Sequence, residues 1–254
     1  MKLVIFAGGY GSRLSEETQK IPKPMVEIGG MPIIWHIMKY YSLFGIKDFV
    51  ICLGYKANII KSFFLNYNNL SKKIIINLKN NTIVGDNFLD DWNITLVDTG
   101  LQTQTGGRLK RGKEFIKNEE YFYLTYGDGL SDVNINELTK FFIKENKICT
   151  LTAVKPKNRF GIIEIDKSHI VTKFQEKPTN DWVNGGFFIM KPDILEYING
   201  DDTPLEEEPM RNLTKKKEIS AYKYEGFWQC MDTLKDKNYL EKLWSGGEAP
   251  WKNW

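Results

Sequence analysis

The feature that most constrains this chain lies near its start. The apolar run Leu3-Val4-Ile5-Phe6-Ala7 passes directly into Gly8-Gly9-Tyr10-Gly11-Ser12-Arg13-Leu14. A short run of β-formers ending in clustered glycines reads as a buried strand feeding a tight loop, the opening of many α/β domains. The glycines let backbone N–H groups approach an anion, and Arg13 adds a planar, permanently charged donor suited to phosphate. A dinucleotide fingerprint does not fit, because Leu14 stands where its third glycine belongs. A P-loop does not fit either, since no Gly-Lys-Ser/Thr closes the loop. A glycine-rich turn with no ligand is the competing reading of these residues alone.

The rest of the chain alternates β-rich runs with helical patterns. Strands are expected at 3–6, 48–53, 121–125, 149–154 and 219–224, with three more strand-like runs between 161 and 188. Helices are expected at 33–44, 57–67, after the loop 98–107, and at 134–145, 205–217 and 234–243. Residues 72–98 read as an inserted β-rich lobe inside a single domain covering 1–254. With 254 residues, 42 % of them hydrophobic, the chain supports one sizeable core. Thirty-five basic and 32 acidic residues leave a charge of +3, too balanced to call for nucleic acid or a membrane surface. No apolar run reaches the roughly 18 residues of a spanning helix. Cys52, Cys149 and Cys230 are widely spaced, which suggests reduced thiols and a cytoplasmic protein. With only His36 and His169 present, a histidine metal centre is excluded.

Several further residues carry chemical potential. Lys23 stands between Pro22 and Pro24 on stiff, non-helical backbone, where it meets the same phosphates as Arg13 or simply sits exposed in a turn. Asp128 follows a strand and lies between two glycines, a position suited to Mg2+ brought in by a nucleotide, or to capping a helix. Asp232 reads on its own as the N-cap of the helix after it. Glu176-Lys177-Pro178 and Asn184-Gly185-Gly186 place charge and open space beside strands.

Taken together, these motifs resemble the sugar-phosphate nucleotidyltransferases, the NDP-sugar pyrophosphorylases. The family pattern of a strand, then G-G-x-G-[ST]-R-L, then P-K-P, is matched by residues 8–14 and by Pro22-Lys23-Pro24. Thr105-Gly106-Gly107-Arg108, Tyr126-Gly127-Asp128-Gly129 and Phe227-Trp228-Gln229-Cys230-Met231-Asp232-Thr233 extend the likeness to the branch that uses CTP and glucose 1-phosphate. The resemblance implies a Rossmann-like α/β nucleotidyltransferase fold with a mixed central sheet and a smaller inserted β-rich lobe. It also implies CDP-glucose as the product, for surface-polysaccharide synthesis, Mg2+ as cofactor, and a homo-oligomer, a hexamer, to which the aromatic tail would contribute.

Carried over by position, Phe6, Gly8, Gly9, Gly11, Ser12, Arg13, Lys23, Thr105, Gly106, Gly107, Arg108 and Asp128 would hold the nucleotide. Tyr126, Gly127, Glu176, Lys177, Asn184 and Gly185 would hold the sugar phosphate. Arg13, Lys23 and Lys177 would be catalytic, and Asp128 with Asp232 would bind Mg2+. Two positions depart from the pattern: Ser12 replaces the commoner threonine, and Cys230 stands where proline is frequent. Competing expectations are a pyrophosphorylase for UTP or dTTP, a cytidylyltransferase for another sugar, and a non-catalytic nucleotide-sugar sensor.

Overall fold

A computed structural model describes residues 1–67, 74–85, 90–156, 162–175 and 181–254. The first strand, Lys2–Ala7, sends Leu3, Ile5 and Ala7 into one apolar layer and Val4 and Phe6 into another. Side chains leave a strand on alternate faces, so an unbroken apolar run is what a strand covered on both sides requires. Asp48–Leu53 repeats the pattern, with Phe49, Ile51 and Leu53 on the first face and Val50 and Cys52 on the second.

Seven strands build the central sheet, in the order Ile219–Tyr224, Cys149–Val154, Val183–Met190, Phe122–Tyr126, Lys2–Ala7, Asp48–Leu53, Asn93–Asp98. Val183–Met190 runs antiparallel to both neighbours, and every other pair in the sheet is parallel. This is the mixed sheet that the family resemblance implies. Helices Ile33–Ser42, Ala57–Leu65, Ile135–Glu145 and Leu234–Ser245 feed the layer that holds Leu3 and Ile5. Thr105–Arg111 and Glu208–Lys215 cover the opposite face through Leu109 and Leu213.

The inserted lobe is smaller than the 72–98 expected. Residues 94–97 belong to Asn93–Asp98, the edge strand of the central sheet, which pairs in parallel from Asp48 opposite Asn93 to Leu53 opposite Asp98. An edge strand is only partly covered, so Asn93, Thr95 and Asp98 interrupt its apolar pattern and disguise it as part of a meander. The hairpin Ile74–Asn77 with Thr82–Gly85 does stand apart from the sheet, as does a second one, Ile162–Ile165 with Val171–Gln175. Among the described residues, no helix is long and apolar enough to cross a membrane. All three cysteines are free thiols.

Helix Ile33–Ser42 buries every residue except Lys39 and Ser42, because it lies between the sheet and the carboxyl-terminal aromatics. The chain enters it through a hairpin, Glu27–Ile28 with Met31–Pro32, whose Gly29-Gly30 turn has φ of +59° and +76°. Two successive positive φ values are the requirement that glycine meets in so short a turn. His36 is wholly buried beneath the tail. Its Nε2 bonds the carbonyl of Ile28 at 2.8 Å, and Trp251 Nε1 donates to its Nδ1 at 3.4 Å. The Trp244 ring meets it edge-on, with centroids 4.7 Å apart. Trp251 is itself fully buried, so core packing accounts for this part of the tail.

Burial keeps His36 neutral and pushes its pKa down from 6.5 to about 4. The unfolded chain takes up a proton below pH 6.5 that the folded one refuses until about pH 4. The stability contribution is therefore complete above pH 6.5 and lost progressively between 6.5 and 4, by about 3 kcal/mol in total. Denaturant unfolding of the native protein and His36→Asn across this range should show the variant's stability falling less steeply with acid. Identical slopes would refute the assignment.

Candidate active site

In open α/β sheets ligands bind beyond the carboxyl ends of the strands, where the winding direction reverses. Here the chain leaves Lys2–Ala7 for Asp48–Leu53 on one side and later returns as Phe122–Tyr126 on the other. The loop at residues 8–14 follows Ala7, and Gly127-Asp128 follows Tyr126. Gly127 N donates to Phe6 O at 3.0 Å, which fixes the two loops beside each other. The cleft between them is lined by Phe6, Gly8, Gly9, Gly11, Ser12, Arg13, Lys23, Thr105, Arg108, Tyr126, Gly127 and Asp128, together with Tyr10 and Gln102. Gly11 has φ of +65° and lies tight against Thr18 and Lys23, so the loop turns back there at no steric cost.

Lys23 sits at the start of a short 3-10 turn, Lys23–Met25, entered through extended Pro22. Its ammonium lies 2.5 Å from Asp128 Oδ2 and 2.6 Å from Asp232 Oδ1. Arg13 reaches the other oxygen of Asp232 at 2.8 Å, while most of its side chain stays in solvent. Two carboxylates and two cations thus balance at the cleft edge. Burial works against the Lys23 charge, but Asp128 first, and the hydrogen bonds to both carboxylates, outweigh it and raise its pKa above 10.5. Burial likewise opposes the Asp232 anion, yet Lys23 and then Arg13 hold its pKa below 3.8. Cys230 is the third group here; burial, and then Asp128, push its thiol well above the usual range.

Asp232 does not cap the following helix, contrary to its reading in isolation. Thr233 is the N-cap of Leu234–Ser245, in a capping box where Asp236 accepts the Thr233 N–H at 2.8 Å and the Thr233 hydroxyl accepts from Asp236 N. That frees the Asp232 carboxylate for the cleft.

Gly106 and Gly107 also depart from expectation. They do not line the cleft; they lie within helix Thr105–Arg111, where a Cβ would come within 2.6 Å of Thr203 O and Asp201 Cα respectively. Both glycines let this helix pack against the 201–205 backbone. Arg108 lines the cleft but aims its guanidinium at the scaffold. Nη1 donates to Leu53 O at 2.9 Å, Thr99 Oγ1 at 2.7 Å and Gly100 O at 2.8 Å, and Nη2 to Gly8 O at 3.1 Å. A side chain at residue 8 would collide with this group, the nearest atom being 2.2 Å from a Cβ.

Comparison with known proteins agrees with this architecture. The family model described as nucleotidyl transferase matches residues 2–233. This chain belongs to the nucleotidyl transferase family. It is 50 % identical to glucose-1-phosphate cytidylyltransferase of Salmonella typhi, and 38 % identical to a probable glucose-1-phosphate cytidylyltransferase of Bacillus subtilis (strain 168). Both alignments cover all of this chain and all of the relative. Among solved structures, a UDP-glucose pyrophosphorylase complexed with UDP-glucose superposes with a TM-score of 0.70 at 19 % identity, covering 97 % of this chain and 98 % of that one.

On the far side of the nucleotidyl transferase cleft, Tyr126 donates to Glu206 Oε1 at 2.6 Å and Thr105 donates to Glu206 Oε2 at 2.5 Å. Glu206 is absent from the sequence reading; a contact 80 residues away leaves no local trace. Asn184 approaches the Tyr126 hydroxyl at 3.5 Å, and its Oδ1 accepts from Gly186 N at 2.9 Å. Gly185 is buried, with its carbonyl accepting from Trp228 Nε1 at 2.7 Å. Glu176 and Lys177 lie outside the described residues.

Replacing Arg108 with lysine substitutes one point charge for a fork that reaches five oxygens, those above and Leu101 O. Chemical denaturation of Arg108→Lys should report a stability loss of about 3 kcal/mol, the scale of charged hydrogen bonds left unmade. A change within about 0.5 kcal/mol would show that the fork does not brace these loops.

Proposed function

We propose that this nucleotidyl transferase joins CTP to α-D-glucose 1-phosphate, giving CDP-glucose and pyrophosphate. The observation that carries the reading is the Lys23 ammonium held between Asp128 and Asp232 beside the glycine loop. The choice of base and sugar draws on full-length similarity to proteins named glucose-1-phosphate cytidylyltransferase.

A sugar phosphate is already ionised at neutral pH, so its oxygen needs no general base to act as nucleophile. It attacks the α-phosphorus of CTP; a P–O bond forms to the sugar phosphate, and the bond to the departing pyrophosphate breaks. The obstacle is repulsion between two polyanions. Lys23 and Arg13 are positioned at the cleft to offset it, Lys23 on the α-phosphate and Arg13 on the phosphates beyond. Alignment of the two substrates in one cleft supplies much of the remaining rate.

Asp128 and Asp232 fit a divalent cation, because two hard carboxylates converge on one cation position, occupied by the Lys23 ammonium. Mg2+ bound to this pair would neutralise phosphate charge and stabilise the departing pyrophosphate. Lys23 and Arg13 would then be free to turn from carboxylate to phosphate. Asn184 would meet sugar hydroxyls together with Glu176, and Lys177 would meet the sugar phosphate.

Pyrophosphate release measured with CTP, UTP, dTTP and GTP against a panel of sugar 1-phosphates tests the substrate choice. CTP with glucose 1-phosphate should give the highest kcat/KM; an equal or higher value for another pair would overturn it. In the same assay, Lys23→Ala and Asp128→Ala should each lower kcat by at least about tenfold with circular dichroism unchanged. Near-native turnover in either variant would remove that residue from the mechanism.

A further inference from the structure

Beside the two aspartates stands a group that the reaction above does not use. Cys230 ends the strand Trp228–Cys230, which pairs with Gly129–Ser131 so that Cys230 lies opposite Gly129. Met231 N donates to Asp128 O at 2.9 Å, locking this segment against the Asp128 loop. In extended chain, residues i and i+2 face the same side, and Cys230 and Asp232 are so spaced. The result is a three-donor group: one ligand atom each from Asp128, Cys230 and Asp232, all within 4.8 Å of one another. Among the described residues, this is the one cluster of His, Cys, Asp and Glu able to hold a metal ion.

A mixed oxygen and sulfur set does not treat all divalent cations alike. Carboxylates alone suit Mg2+, Ca2+ and Mn2+, whereas a thiolate adds affinity for softer ions such as Zn2+ and Co2+. The position where Lys23 lodges shows where positive charge is stabilised, 2.5 and 2.6 Å from the two carboxylates. A metal there would displace the ammonium and leave further coordination positions for water or phosphate oxygen.

We propose that Asp128, Cys230 and Asp232 form a divalent-cation site with its own metal selectivity, in which Cys230 Sγ recruits thiophilic ions such as Zn2+ or Co2+. This inference rests on the reading of the two aspartates as a cation-binding pair. Coordination forms the sulfur–metal bond and releases the thiol proton to solvent, with no change of oxidation state. Free thiol and carboxylates therefore coexist in the resting site, and a soft ion converts the thiol into a ligand as it binds.

Titration of the metal-free, full-length protein with Co2+ alone tests this directly by absorbance. The native protein should develop a sulfur-to-cobalt charge-transfer band that saturates at one ion per chain and is bleached by Zn2+. Cys230→Ser should lose the band and bind Co2+ about tenfold more weakly or worse, the scale of losing a directly coordinating group or its support. Co2+ bound by the native protein without the band, and equally well by Cys230→Ser, would overturn the role of Cys230 while leaving the carboxylate pair intact. A band that survives in Cys230→Ser, arising from Cys52 or Cys149, would overturn it as well. Undiminished Co2+ binding by Asp128→Asn/Asp232→Asn would bring down the carboxylate pair and this inference together.

Discussion

One ammonium group between two carboxylates connects three distant parts of this chain. Lys23 comes from the segment after the first strand, Asp128 from the turn at the end of the fourth strand of the parallel set, and Asp232 from the approach to the last helix. Carboxylates so close would repel each other strongly in a half-buried setting without a counter-charge. The lysine therefore does more than decorate the cleft: it offsets the repulsion between two carboxylates that backbone pairing brings together. Arg13 completes the balance from the exposed side. With one lysine and one arginine facing two carboxylates, the charges of the site balance one another.

The scaffold under this cluster depends on a second buried charge of different character. Among the described residues, Arg108 has no carboxylate within its hydrogen-bonding shell; carbonyl and hydroxyl oxygens at the ends of neighbouring strands satisfy it instead. A buried guanidinium in such a setting is tolerable because each donor finds an acceptor. Its reach to Gly8 O couples the glycine loop to the loop at 99–101. The residue at 8 is thus glycine for the sake of the arginine as well as for any phosphate.

Much of this was legible in the chain itself, and the exceptions share a cause. The central strands announced themselves because burial on both faces demands continuous apolar runs, as in residues 3–6 and 48–53. Asn93–Asp98 was misplaced because an edge strand lacks that demand. The glycine loop, Lys23 and Asp128 stood out through local chemistry: glycines, flanking prolines, a carboxylate between glycines. Asp232 read as a cap because its true role depends on a lysine 209 residues away, while the real cap at Thr233 has the same local signature. The resemblance assigns Gly106 and Gly107 to the nucleotide, whereas in the fold they admit a neighbouring backbone, and a glycine pair looks the same in either role. Local patterns report local constraints; partners brought in by the fold do not.

The roof over His36 has a consequence for how the molecule comes into being. Helix Ile33–Ser42 is made early, yet its outer face is sealed by Trp244 and Trp251, which emerge much later. Contacts spanning more than 200 positions cannot form while the carboxyl-terminal segment is still inside the ribosome. A nascent chain must carry this apolar helix uncovered until the segment with Trp244 and Trp251 has emerged.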